Sequence, residues 1–242
     1  MISGWDEGMY LQFASNLANF GEYATSNGEQ FDRLLPPGGT GPTLIAPVGL
    51  ALRLSDGSLL AARLVISVYF VAALAGAYLL LRNIRNEMAA LIAIPLVLVA
   101  GYQEYDTLWA GRQVLAELPA LAFLTFALYA WHKCLRSGKS RWAYTGALLL
   151  GLSVITKNQL ILPLGAFFVL LAAADWLYYR QMTWLQRIAP LGGLLLAYGA
   201  WFVISFLIVE AERRGAYLQM QSALASSSFL HPSLSRIRQS AG

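Results

Sequence analysis

Charge is what this chain has least of. Asp, Glu, Lys and Arg make up 12% of its 242 residues, while 57% are hydrophobic; a soluble domain carries about 25% charged residues. Cysteine is nearly missing as well, and the single Cys134 excludes an internal disulfide framework. His132 and His231 stand alone, without the ligand spacing of a structural metal site. No basic run is interleaved with aromatics, so nucleic acid is not an expected partner. The turn-forming run Pro36-Pro37-Gly38-Gly39-Thr40-Gly41-Pro42 contains no P-loop or dinucleotide fingerprint. A signal peptide is lacking too, since Met1 is followed almost at once by polar residues.

Long apolar runs take the place of all this. With a mean hydropathy of +0.54, the expected class is an all-α polytopic membrane protein. Residues 8–20 set Tyr10, Phe13, Leu17 and Phe20 at helical spacing, with Gln12, Asn16 and Asn19 on the other side. That pattern predicts an interfacial helix, too polar to cross, stopped at Gly21. Residues 21–43 read as loop, and 43–54 as a second short interfacial or re-entrant helix. Six spans are expected at 59–81, 88–102, 115–131, 143–156, 159–174 and 189–209. The second, fourth and fifth are short, because a crossing takes roughly 20 apolar residues.

The charge distribution orients these spans. The connections 82–87, 132–142 and 175–188 carry Arg82, Arg85, Lys133, Arg136, Lys139, Arg141, Arg180 and Arg187, against Glu87 and Asp175. The positive-inside bias makes that set cytoplasmic. It also favours splitting 143–174 at Lys157-Asn158, which keeps Arg180 and Arg187 inside. Trp109, Trp131, Trp142, Trp176 and Trp184 fall at span ends, as an aromatic belt requires. Three regions follow: an outer loop with interfacial helices at 1–58, a transmembrane helical domain at 59–209, and an outer tail at 210–242. A polar segment of nearly 60 residues ahead of the first span implies a preceding span and a longer parent protein.

All the acidic residues except Glu87 and Asp175 fall on the outer side, so chemistry is expected there. Asp6 and Glu7 carry two readings. They suit a helix N-terminus, where acids are stabilised; alternatively, a carboxylate held at the membrane surface can serve as a general base. Glu104 and Asp106 read as loop acids. Glu117 lies within an apolar run, where an acid costs roughly 2.5–3.5 kcal/mol at mid-span and less near the surface. Arg112 is about 140° around a helix from Glu117, so each needs a partner elsewhere or a ligand. Lys157 is either a snorkelling lysine at an outer turn or a phosphate ligand. Arg53 and Arg63 read as interfacial anchors of the first span.

An ordered series of short motifs runs through these residues. It comprises Trp5-Asp6-Glu7-Gly8-x-Tyr10, Gly21-x-Tyr23, Thr40-Gly41-Pro42 and Ala61-Ala62-Arg63-Leu64, then Arg112 to Glu117-Leu118-Pro119-Ala120, and Gly151-Leu152 to Thr156-Lys157. In order and spacing, over roughly residues 4–165, the series resembles the GT-C membrane glycosyltransferases. The nearest groups are the bacterial enzymes related to protein O-mannosyltransferases and to lipid A aminoarabinose transferases.

The resemblance implies a GT-C-type helix module with two interfacial helices in its first outer loop. It also implies transfer of a sugar from a polyprenyl-phosphate donor to a hydroxyl on a lipid, glycan or protein acceptor. Asp6 would be the catalytic base with Glu7 beside it. Glu117, Asp106 and Tyr10 would form the acceptor or second-acid site, and Arg112 and Lys157 would bind the donor phosphate. No cofactor is required by the sequence, and a divalent cation is left open. The implied location is the bacterial inner membrane, with the active face extracytoplasmic. A different class, a transporter or channel with Glu117 and Lys157 as coupling charges, remains as the alternative.

Overall fold

The computed structural model describes residues 3–26, 31–32, 40–99, 114–209, 211–219 and 222. In chain order these form α1 (Ser3–Phe20), β1 (Thr25–Ser26), β2 (Phe31–Asp32), α2 (Pro42–Leu54), α3 (Leu59–Ile84), α4 (Glu87–Val99), α5 (Glu117–Ser137), α6 (Ser140–Thr156), α7 (Ile161–Ala174) and α8 (Trp184–Ile208). A 3-10 turn, Asn158–Leu160, leads into α7, and a π-helical turn, Asp175–Tyr179, follows it. The protein is all-α and polytopic in character, as its composition predicts.

Among the described residues four helical stretches are long and apolar enough to cross a membrane: Leu59–Ile84, Glu117–Ser137, Asn158–Tyr179 and Trp184–Ile208. Helix α6 has 17 residues and is short, as anticipated; α4 is described over 13 residues, and the expected end of its span at 100–102 lies outside the described residues. The fifth span is not short. The turns flanking α7 extend it to 22 residues, enough to cross once its ends are counted. The division at Lys157 is present, since this residue is extended at φ −142°, ψ 96° between α6 and the 3-10 turn. Beyond it the chain reverses. Phe168 of α7 meets Trp131 near the end of α5 at a ring-centroid distance of 5.5 Å, and Asp175 is ion-paired to Arg187 at the start of α8 at 2.7 Å.

Two elements depart from the expected layout. The stretch 21–43 is not loop throughout, because β1 and β2 pair antiparallel with Thr25 opposite Asp32 and Ser26 opposite Phe31. In α1 the buried side includes Asn16 as well as Phe13 and Ala14, whereas Phe20 is exposed. The Asn16 amide donates to the carbonyl of Ala24 at 2.8 Å, which satisfies a buried polar group. It thereby ties the helix to the strand that leaves it. The stop at Gly21 is present, with φ +70°.

Helices α5, α6 and α8 pack side by side, and α3 packs on α5. Lipid tails are as apolar as these side chains, so association relies on close packing and polar contacts. A Cβ added to Gly193 of α8 would lie 2.2 Å from the carbonyl oxygen of Ala147 of α6, so the two backbones touch. Ser153 donates to the Ala120 carbonyl at 2.9 Å across α6 and α5, and Thr125 reaches the Ala73 carbonyl of α3 at 3.4 Å. Gly193→Val should therefore lower the melting temperature in detergent, at a cost of about 1–3 kcal/mol for overpacking. The neighbouring Gly192→Val should be neutral, since an added Cβ there meets nothing within 4 Å.

Two apolar cores result. One lies where α1 and α2 cover the starts of α3 and α5 and the end of α8, and includes Phe13, Leu44, Ile45, Ile66, Val114 and Trp201. The other fills the opposite half with Ala127, Leu150, Val154, Phe168 and Leu194. After α8 the chain turns back, placing Tyr217 against Phe202 and Phe206 at 6.1 and 6.4 Å.

Candidate functional site at the α1 end of the bundle

The charged residues of interest meet where α1 and α2 lie across the ends of the longer helices. Glu7 is buried in the first half of α1. Its two carboxylate oxygens accept from Arg63 of α3, Nε at 3.0 Å and Nη2 at 3.1 Å. One of them also accepts from the backbone N–H of Val114 at 3.2 Å. This is a bidentate guanidinium–carboxylate pair, which fixes orientation as well as charge. It ties α1 to α3 and to the segment that enters α5.

Three residues after Val114, Glu117 opens α5, and its carboxylate forms an ion pair with the ammonium of Lys157 at the end of α6. Glu117 does not sit inside a span. It is the first residue of its helix and 54% exposed, so the burial cost expected for a mid-span acid is largely avoided. Two ion pairs thus flank the short segment 114–117, whose Val114 and Ala116 are fully buried.

The frame around them is polar and close-packed. Thr43 of α2 and Thr156 of α6 share a hydrogen bond of 2.7 Å, and Tyr69 of α3 donates to the Thr43 carbonyl at 2.7 Å. A Cβ on Gly41 would come within 2.2 Å of the Ile155 carbonyl oxygen, so a glycine is needed where α2 meets the end of α6. Tyr23 is wedged between Phe13 and Trp201, at 5.6 and 5.7 Å. Its hydroxyl donates to the Thr40 carbonyl at 3.1 Å. Burial raises the Tyr23 phenol well above its ordinary range, so it keeps its proton and this bond at neutral pH.

Of the residues singled out from sequence, the structure brings Glu7, Tyr10, Glu117 and Lys157 to this end of the bundle. Tyr10 packs half-buried against the core beneath α1. Asp6 belongs to α1, next to Glu7, and its side chain lies outside the described residues. Asp106 and Arg112, with Glu104, also fall outside them. Arg63, read from sequence as an anchor, is instead the partner of Glu7. One turn inside the first span an arginine can also snorkel to the surface, so its place in the sequence carried no signal of this pairing. Among the described residues no three His, Cys, Asp or Glu side chains gather as a metal-ligand set.

A cavity of about 590 Å³ opens at the same end, between α1, α2 and α8, and is walled by Tyr23, Pro42, Ile155, Trp201 and Ile204, with Ile155 two residues before Lys157. An apolar groove of about 590 Å³ runs along α6 and α8 and also borders Ile155. The site therefore combines carboxylates, cations and an apolar approach at one end of a membrane bundle.

A family model described as dolichyl-phosphate-mannose-protein mannosyltransferase matches residues 41–206. The matched region begins at the Gly41 contact and takes in Arg63, Glu117 and Lys157, while α1 lies ahead of it. No curated protein and no solved structure matches the chain. With the match covering α2 through most of α8 and the helical membrane architecture in place, the chain belongs to the dolichyl-phosphate-mannose-protein mannosyltransferase family of GT-C-type membrane glycosyltransferases.

Proposed function

We propose that this glycosyltransferase moves a sugar from a polyprenyl-phosphate donor to an acceptor hydroxyl at the α1 end of the bundle, with Asp6 as general base. The observation that carries the reading is the convergence of the Glu7–Arg63 and Glu117–Lys157 pairs on segment 114–117. Helices α1, α3 and α5 and the Lys157 cap of α6 contribute to that cluster, and Ile155, two residues before Lys157, borders an apolar groove. In the reaction Asp6 takes the proton of the acceptor hydroxyl, and the oxygen attacks the anomeric carbon. The bond from that carbon to the phosphate oxygen breaks with inversion, releasing polyprenyl phosphate.

The leaving phosphate needs cationic stabilisation as its charge develops. Lys157 and Arg112 are assigned to it. The Lys157 ammonium has three donors, and one partner, Glu117, leaves capacity for a phosphate oxygen. Glu117, Asp106 and Tyr10 are assigned to the acceptor, and Glu7 to holding α1 in register through Arg63. The apolar α6–α8 groove suits the polyprenyl chain, because it reaches Ile155 at the edge of the cavity. The basic connections at the other end support a reading in which this end faces the extracytoplasmic space of a bacterial inner membrane.

Transporter chemistry calls for charges near the middle of broken helices. Here Glu117 begins one helix and Lys157 ends another, which favours transfer at a membrane surface. The test is incubation of the protein in membranes with a radiolabelled polyprenyl-phosphate mannose and, separately, a polyprenyl-phosphate pentose. Label moving to a lipid, glycan or protein fraction is the expected result. Flux of free sugar without transfer would overturn the reading.

A further inference from the structure

At the end of the bundle away from α1, the last turns of α3 and α5 border an open polar cavity of about 410 Å³ lined by Arg82, Arg85, Lys133 and Arg136. A second cavity of about 330 Å³ shares Lys133 and Arg136 with it and adds Lys139 and Arg141 from the start of α6. No carboxylate lines either one. Among the described residues none of these six cations forms an ion pair, although Arg63, Lys157, Arg187 and Arg213 each do. The acid nearest in sequence, Glu87, accepts from the Tyr78 hydroxyl at 3.1 Å.

Neutral groups hold the cations in place. The Arg136 guanidinium donates to the Asn83 carbonyl at 3.2 Å. The Lys133 ammonium lies over two rings, 5.2 Å from Tyr129 and 5.0 Å from Trp142, and Arg141 is 5.4 Å from Trp142. A topological role requires only that basic residues sit on this side of the membrane, on loops free to spread apart. It does not require them to be drawn together around a cavity, where their mutual repulsion opposes folding.

We propose that this basic cavity binds the phosphate of an anionic phospholipid. Its place at the ends of apolar helices favours a lipid over a soluble anion. Arg82 stands in the last turn of a 26-residue apolar helix, Leu79 forms part of the wall, and Tyr129 and Trp142 are the kind of aromatic pair that settles at headgroup level. A phosphodiester there meets Lys133 and Arg136 while its acyl chains lie along α3. Basic pockets between membrane helices recognise anionic headgroups through this combination of charge and depth. The site is separate from the sugar-transfer end and does not depend on the proposed chemistry.

The experiment is native mass spectrometry of the detergent-purified protein, with thermal melting in parallel. The additions are phosphatidylglycerol, phosphatidylcholine or inorganic phosphate. Phosphatidylglycerol should persist as an adduct and raise the melting temperature, and phosphatidylcholine should do neither. The Arg82→Gln/Arg85→Gln variant changes two exposed side chains, so it should fold normally and weaken that adduct about tenfold or more. Lys133→Gln/Arg136→Gln should do so more strongly, and Arg180→Gln, which removes a charge outside the cavity, should leave binding unchanged. Equal retention of both lipids, or undiminished phosphatidylglycerol binding in the folded Arg82/Arg85 variant, would refute the site. A shift with inorganic phosphate as large as that with phosphatidylglycerol would refute the lipid assignment.

Discussion

Asp6→Asn reduces sugar transfer by about 10²–10⁴-fold, the usual contribution of a positioned general base, and leaves the melting temperature unchanged. The substitution keeps the size of the side chain and its place in the first half of α1 while removing its ability to take a proton. Its neighbour Glu7 offers no substitute in the present geometry. Both Glu7 oxygens are engaged by Arg63, and one also by the Val114 amide. The measurement is initial transfer rate at saturating donor, with donor binding followed separately. A rate within a few-fold of the unmodified protein would move the base elsewhere in the cluster, and Glu117 would be the next residue to change.

Glu7→Ala gives the opposite profile, with loss of stability and activity together. Removing this carboxylate leaves the Arg63 guanidinium without its partner and orphans the N–H of Val114, a fully buried residue. An unsatisfied buried donor costs about 1–3 kcal/mol. The remaining loss is smaller, because Arg63 is 40% exposed and water screens a surface pair. A double-mutant cycle with Arg63→Met should yield a coupling in the range of about 0.5–3 kcal/mol typical of directly bonded residues.

The charge swap Glu7→Arg/Arg63→Glu should recover only part of the stability. It restores an ion pair but gives Val114 no acceptor on α1. Transfer should stay low in every member of the series, because the clamp is what seats α1, and with it Asp6, on the bundle. Independent loss of stability in the two single variants, with no coupling between them, would show that the pair is not the clamp.

How far these features can be read without coordinates depends on their range along the chain. The stop at Gly21, the helix at 43–54 and the break at Lys157 rest on local chemistry: a left-handed glycine, a proline at a helix start, and a polar pair between apolar runs. The lengths of the spans are less local. α7 becomes long enough to cross only because the turns on either side continue its axis, and no hydropathy pattern separates such turns from a loop. Asn16 falls off the apolar spacing of α1, so the sequence does not mark it as buried. It is buried because Ala24, on the returning strand, supplies the acceptor.

The same division runs through the site. Composition and apolar periodicity by themselves determine a helical membrane protein, and charge bias gives the expectation that most of its acids face one side. The ordered motifs point to the glycosyltransferase family that the match over 41–206 shows. Which charges pair is a tertiary matter. Glu7 finds Arg63 across 56 residues, and Glu117 finds Lys157 across 40. An ion pair at such separation leaves no trace in spacing, since it depends on where whole helices cross. Gly41 and Gly193 let the start of α2 and the middle of α8 touch the backbone of α6, and the Thr43–Thr156 bond fastens α2 to its end. The meeting of these charges on segment 114–117, and the gathering at the far end of cations without an ion-pair partner among the described residues, were therefore decided by packing alone.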